Sequence, residues 1–121
     1  MAGARLQEIV ENYLVNNIVQ RATGTGALAV TIAPGYKWQL KEVRVHLSAA
    51  GGAGNLTATM DAGAGAAYDC VLLTQDMTSA VDVLWQPTRP HIFDASDELD
   101  FAWENASGIT FGIEVIYGTL R

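Results

Sequence analysis

The densest group of residues able to do chemistry is acidic: Asp94, Asp97, Glu98 and Asp100. Carboxylates packed this closely could hold a hard cation such as Ca²⁺. Their spacing is not that of a twelve-residue calcium loop, and a turn running into a strand accounts for them equally well. The two histidines, His46 and His91, are far apart in the chain and sit in no metal-ligand spacing. Each reads as a solvated side chain. The lone cysteine, Cys70, allows no internal disulfide and reads as a small buried hydrophobe inside a strand. Three tryptophans remain. Trp85 and Trp103 share the apolar parity of their segments and belong in the core. Trp38 follows a turn, where it could pack inward or offer a flat platform to a sugar ring. No serine elbow, nucleotide loop or nucleophile–base spacing is present, so the expectation is a protein without catalysis and without a cofactor.

These residues must be positioned by strands. In the stretch from Gly35 to Leu47, Val43, Val45 and Leu47 alternate with Glu42, Arg44 and His46. That is the period of a strand with one buried face. Trp38 and Leu40 fall on the opposite parity, so either one extra residue near Lys41 bulges out or the strand changes sheets. The same alternation appears in Leu28–Ile32, Asn55–Asp61, Val81–Trp85, Glu98–Trp103 and Ile109–Tyr117, with Ile92 and Phe93 as a short pairing. Tyr68–Thr74 is apolar on both sides in its middle, which predicts a central strand or one whose second face meets another subunit. Alternation predicts a core that includes Val43, Val45, Leu47, Leu56, Met60, Leu99, Phe101, Trp103, Phe111, Ile113 and Val115. Seven or eight short strands between turns predict an all-β fold, a single β-sandwich of jelly-roll or Greek-key type.

The chain before this is different. Leu6, Ile9, Val10, Tyr13, Leu14 and Ile18 recur at three- and four-residue spacing, the stripe of an amphipathic helix. Tyr13 to Val19 is also rich in β-branched residues and could be extended. The division expected is an N-terminal arm, helical or extended, over residues 1–22 and a sandwich domain over 23–121. Those six apolar residues are the candidate partner-binding set, and Thr23–Gly26 reads as a hinge that lets the arm leave. A chain starting at Gly24 is then expected to fold alone.

Composition narrows the function. Half of the 121 residues are hydrophobic and 17% are charged, which is a folded domain and not a disordered segment. The net charge of −6 and scattered basic residues argue against nucleic-acid binding. No apolar run is long enough to span a membrane as a helix. No secretory signal is evident, so synthesis in a cytoplasm is expected.

Several runs together resemble a known kind of protein. They are Ala33-Pro34-Gly35-Tyr36-Lys37-Trp38 with Leu40–Leu47, then Asn55-Leu56-Thr57, Tyr68-Asp69, and Glu98–Asn105. This pattern resembles the β-sandwich virion proteins of tailed bacteriophages, most of all capsid decoration, or cement, proteins. The resemblance implies a jelly roll, a homo-oligomer that is often a trimer, and an arm reaching a neighbouring subunit. It implies contact with the major capsid protein or other virion proteins, and a place in the virion after synthesis in the host cytoplasm. Some related sandwiches serve in tails and fibres, so a glycan-binding module using Trp38 is the alternative.

Overall fold

A computed structural model describes residues 17–89 and 91–119. They form nine strands: β1 (Asn17–Gly24), β2 (Leu28–Ile32), β3 (Trp38–Leu47), β4 (Asn55–Asp61), β5 (Cys70–Asp76), β6 (Asp82–Trp85), β7 (His91–Phe93), β8 (Glu98–Trp103) and β9 (Phe111–Thr119). A single 3-10 turn at Ala66–Tyr68 precedes β5.

All pairings are antiparallel and they nest. β4 pairs with β5, β3 with both β6 and β7, β2 with β8, and β1 with β9. This is one long hairpin rolled up on itself. Rolling interleaves the arms into two sheets, β1-β9-β3-β6 with β7 also on β3, and β2-β8-β4-β5. The fold is an eight-strand jelly roll with one strand broken in two. Pro87, in the break between β6 and β7, has no N–H to give to a ladder.

The long strand resolves as a bulge. Trp38 and Leu40 are buried on one parity, Val43, Val45 and Leu47 on the other. The register of β3 against β9 shifts between Leu40 and Glu42. Lys41 is the extra residue, and it brings both sets to the same side. Its ammonium donates to Asn17 Oδ1 at 2.7 Å, tying β3 to β1 across β9. Partial burial there lowers the Lys41 pKa.

The expected core residues are buried, except that Met60 is half-buried at the margin. Two core residues were hidden in the sequence. Phe93 stacks on Trp38 with ring centroids 4.1 Å apart and planes 12° apart. Met77, between Asp76 and Thr78, is fully buried. It sits in the connection after β5, where its N–H donates to Gly54 O at 3.0 Å. Gly51 is required beside it, because a Cβ there would collide with the Met77 carbonyl.

Four expectations change. Cys70 is exposed, because it opens β5 at the rim of its sheet. β5 is an edge strand, not a central one, so its double apolar character is not explained by burial between two neighbours. Trp85 is half-buried for the same reason: β6 is also an edge. The boundary drawn after residue 22 falls inside β1, and Thr23 and Gly24 are strand, not hinge. β1 holds all eight of its residues in register with β9. A chain starting at Gly24 would therefore lose an edge of the first sheet.

The connection from β8 to β9 is held by a buried asparagine. Asn105, at φ 46°, is 3% exposed. Its Nδ2 donates to the carbonyls of Gly26 (2.9 Å) and Ile109 (2.8 Å) and, longer, to that of Thr25 (3.4 Å). Its Oδ1 accepts from Ile109 N–H at 3.1 Å. One side chain thus fastens the β1–β2 turn to the β8–β9 turn.

Candidate functional site

The acidic cluster divides in two. Asp97 is committed to backbone: Oδ2 accepts from Asp94 N–H of its own turn at 2.9 Å and Oδ1 from Gly63 N–H of the β4–β5 connection at 3.0 Å. Glu98 and Asp100 point outward from β8, where Asp61 of β4 joins them. The three offer carboxylate oxygens within 4.8 Å of one another. Asp61 is missing from the sequence reading because only the β4–β8 register brings it there. Asp100 also accepts from the Thr31 hydroxyl at 2.7 Å.

The structure removes Trp38 as a sugar platform. Its indole is fully buried, stacked on Phe93 and met edge-on by Tyr117 at 5.4 Å. Burial, and then the neighbouring Tyr36, raise the Tyr117 pKa. His91 lies against Trp85 and Phe93. Of the candidate partner-binding residues, Leu6, Ile9, Val10, Tyr13 and Leu14 lie outside the described residues. Ile18 faces inward from β1, opposite Tyr117, and packs on the core, so its apolar surface is used within the sandwich.

A different site stands on the outer face of the first sheet. Pairing aligns the outward residues of four strands in rows. Arg21, Glu114, Arg44 and Leu84 form one row, and Thr23, Gly112, His46 and Asp82 the next. In the first row Arg21 Nε meets Glu114 Oε1 at 2.9 Å and Arg44 Nη1 meets Glu114 Oε2 at 3.7 Å. Arg44 also pairs with Glu42, which accepts from Gln86 as well. The Gln86 hydrogen bond and, after it, Arg44 hold the Glu42 carboxyl below the ordinary carboxylate range. Glu42 therefore stays ionised at neutral pH, and its bonds are lost only as the pH falls through that lowered value. In the second row His46 Nδ1 and Asp82 Oδ1 are 2.6 Å apart. Between Thr23 and His46 stands Gly112, with no side chain. The row drops there into an open trough of about 750 Å³, walled by Arg21, Arg44, His46, Asp82, Leu84 and Glu114.

Arg44, His46, Asp82, Leu84 and Glu114 lie on the outward parity of strands that alternation shows, whereas Arg21 lies in β1, a segment read from the sequence as part of the arm. That β1, β9, β3 and β6 are neighbours follows only from the rolled topology, so the trough could not be read from the chain.

No family model matches this chain, and no curated protein matches it. Among solved structures it is similar to the family 32 CBM of C. perfringens NanJ in complex with galactose. There the TM-score is 0.49 and identity 6%, over 86% of this chain and 96% of that one. It is similar to the Drosophila NLP-core, with TM-score 0.48 and 10% identity over 87% and 98%. It is also similar to a chain of the Helicobacter pylori bacteriophage KHP30 capsid, with TM-score 0.46 and 11% identity over 84% and 86%. None of these likenesses bears on activity. Two-sheet frames host many functions.

Proposed function

We propose that this chain is a structural protein of a bacteriophage virion, a capsid decoration protein that acts through protein–protein contact and without catalysis. One observation carries the reading. Among the described residues, the exposed large aliphatics within strands are Val19, Val71, Leu84 and Ile92, and all four lie in edge strands. They sit on β1, β5, β6 and β7, whereas the central strands β3, β4, β8 and β9 contribute no large exposed aliphatic. Edges are where natural sheets place charge or proline to keep other chains away. Aliphatics gathered at the rims instead suit a molecule flanked by neighbours. The resemblance of Ala33–Trp38 with Leu40–Leu47, and of Glu98–Asn105, to virion sandwiches supports the same reading. The partners are the major capsid protein or other virion proteins, and the chain is a homo-oligomer, with a trimer favoured. Closed symmetry multiplies a small contact into several simultaneous ones.

Leu6, Ile9, Val10, Tyr13 and Leu14 are assigned to the contact with a neighbour. A chain starting at Asn17 keeps β1 whole and is the proper test of that assignment. It is expected to fold like the full chain and to bind purified particles at least tenfold more weakly. Equal binding would remove the arm from the proposal. A full-length protein that is monomeric, and missing from particles by mass spectrometry, would remove the virion role.

A further inference from the structure

Gly112 has no structural reason of its own to be glycine. It lies inside β9, a central strand, with no register shift beside it. It is not among the glycines with positive φ. A Cβ built there meets nothing within 4 Å. Glycine inside a strand weakens it, and it often marks a place where a ligand approaches the backbone. What this glycine supplies is the floor of the trough.

We propose that the trough over Gly112 binds a neutral oligosaccharide. This goes beyond the virion reading and does not depend on it. The size suits a small-ligand site, for which about 300–1,000 Å³ is usual. The walls alternate in charge: Arg21 and Arg44 bracket Glu114, and His46 pairs with Asp82. An anion would meet Glu114 and Asp82, and a cation would meet the two guanidinium groups. A ligand carrying donors and acceptors side by side, with no net charge, satisfies both kinds of wall. Vicinal hydroxyls do this, since planar carboxylates and guanidinium groups can engage two adjacent oxygens at once. Leu84, 63% exposed, and the bare backbone at Gly112 offer apolar surface to the C–H face of a sugar ring.

A peptide is the poorer fit. The floor is formed by β9 and β3, whose backbone edges are already paired on both sides, so no strand can be added there. A protein contact site also centres on large anchors in a well-packed pocket. Here Leu84 is the one large apolar side chain among the outward-facing wall residues, since Val45, Val83 and Ile113 turn to the inner face.

The test is a nitrogen-15 NMR titration of the full chain. The probes are neutral hexoses and their β-linked disaccharides, chosen after screening the protein on a printed array of neutral and acidic glycans. The expected result is saturable shifts at the amides of Thr23, His46, Gly112 and Glu114. Gly112→Leu should fill the trough and abolish those shifts while the rest of the spectrum stays folded. Gly112→Ala is the milder version should leucine disturb β9. Glu114→Gln should weaken binding about tenfold, the effect of losing one charge-assisted hydrogen bond. No neutral glycan perturbing these amides would overturn the proposal. So would binding that survives Gly112→Leu, or binding confined to acidic glycans. If sugars fail and Gly112→Leu instead abolishes particle binding, the trough is a protein contact, and the sugar assignment falls while the virion role stands.

Discussion

Trp38→Ala should destabilise the protein by about 3–5 kcal/mol, the range for removing a large buried aromatic. That is a large share of the total stability of a small domain, about 5–15 kcal/mol. The indole is fully buried, and its loss opens a cavity where β3, β7 and β9 meet. The same change strips Phe93 of its stacking partner and Tyr117 of its edge contact. Such aromatic pairs add about 0.5–1.5 kcal/mol beyond burial alone. Urea unfolding followed by circular dichroism measures the cost. Trp38→Phe should cost much less. It keeps an aromatic face for Phe93, and it removes an indole N–H that finds no hydrogen-bond partner among the described residues. Equal losses for the two variants would mean that the stack contributes nothing.

Asn105→Ala is expected to cost about 3 kcal/mol, from carbonyls and an N–H left without partners and from alanine held at positive φ. The carbonyls stranded are those of Gly26 and Ile109, and the donor is Ile109 N–H. Asn105→Gly should be milder, since glycine accepts the φ of 46° at no steric cost. Asn105→Asp should be the worst of the three, because its carboxylate would face the carbonyls that the amide now donates to. Thermal unfolding of the three variants gives the order directly. Glycine and alanine at equal cost would show that the backbone conformation carries none of the penalty.

Local alternation made most strands legible. Leu28–Ile32, Asn55–Asp61 and Glu98–Trp103 are strands over those residues, because each has a clean apolar face and a turn at both ends. The bulge at Lys41 was also visible, since a parity change inside one strand has few physical explanations. β1 was harder. Its inward residues include Gln20, Ala22 and Gly24, too small or polar to mark a buried face, while Leu6 to Ile18 imposed a helical period. Met77 was obscured by its polar flanks and Phe93 by the brevity of β7. For β5, apolar residues on both faces left two readings open, and the sheet order removes the central strand. The sites were least legible of all. Asp61 with Glu98, and Gly112 with Thr23 and His46, are neighbours only across the ladders.

The nesting of β1 against β9 brings the start of β1 and the end of β9 to one corner of the first sheet. Asn17 faces Gly118, and the Lys41 ammonium sits on Asn17 at that corner. Whatever joins the sandwich before β1 or after β9 does so there. The row of Thr23 and Gly112 lies six residues further along β1, about 20 Å away at the rise of a strand. On the proposal that residues ahead of β1 bind a neighbour, the trough stands at the far end of the sheet from that contact.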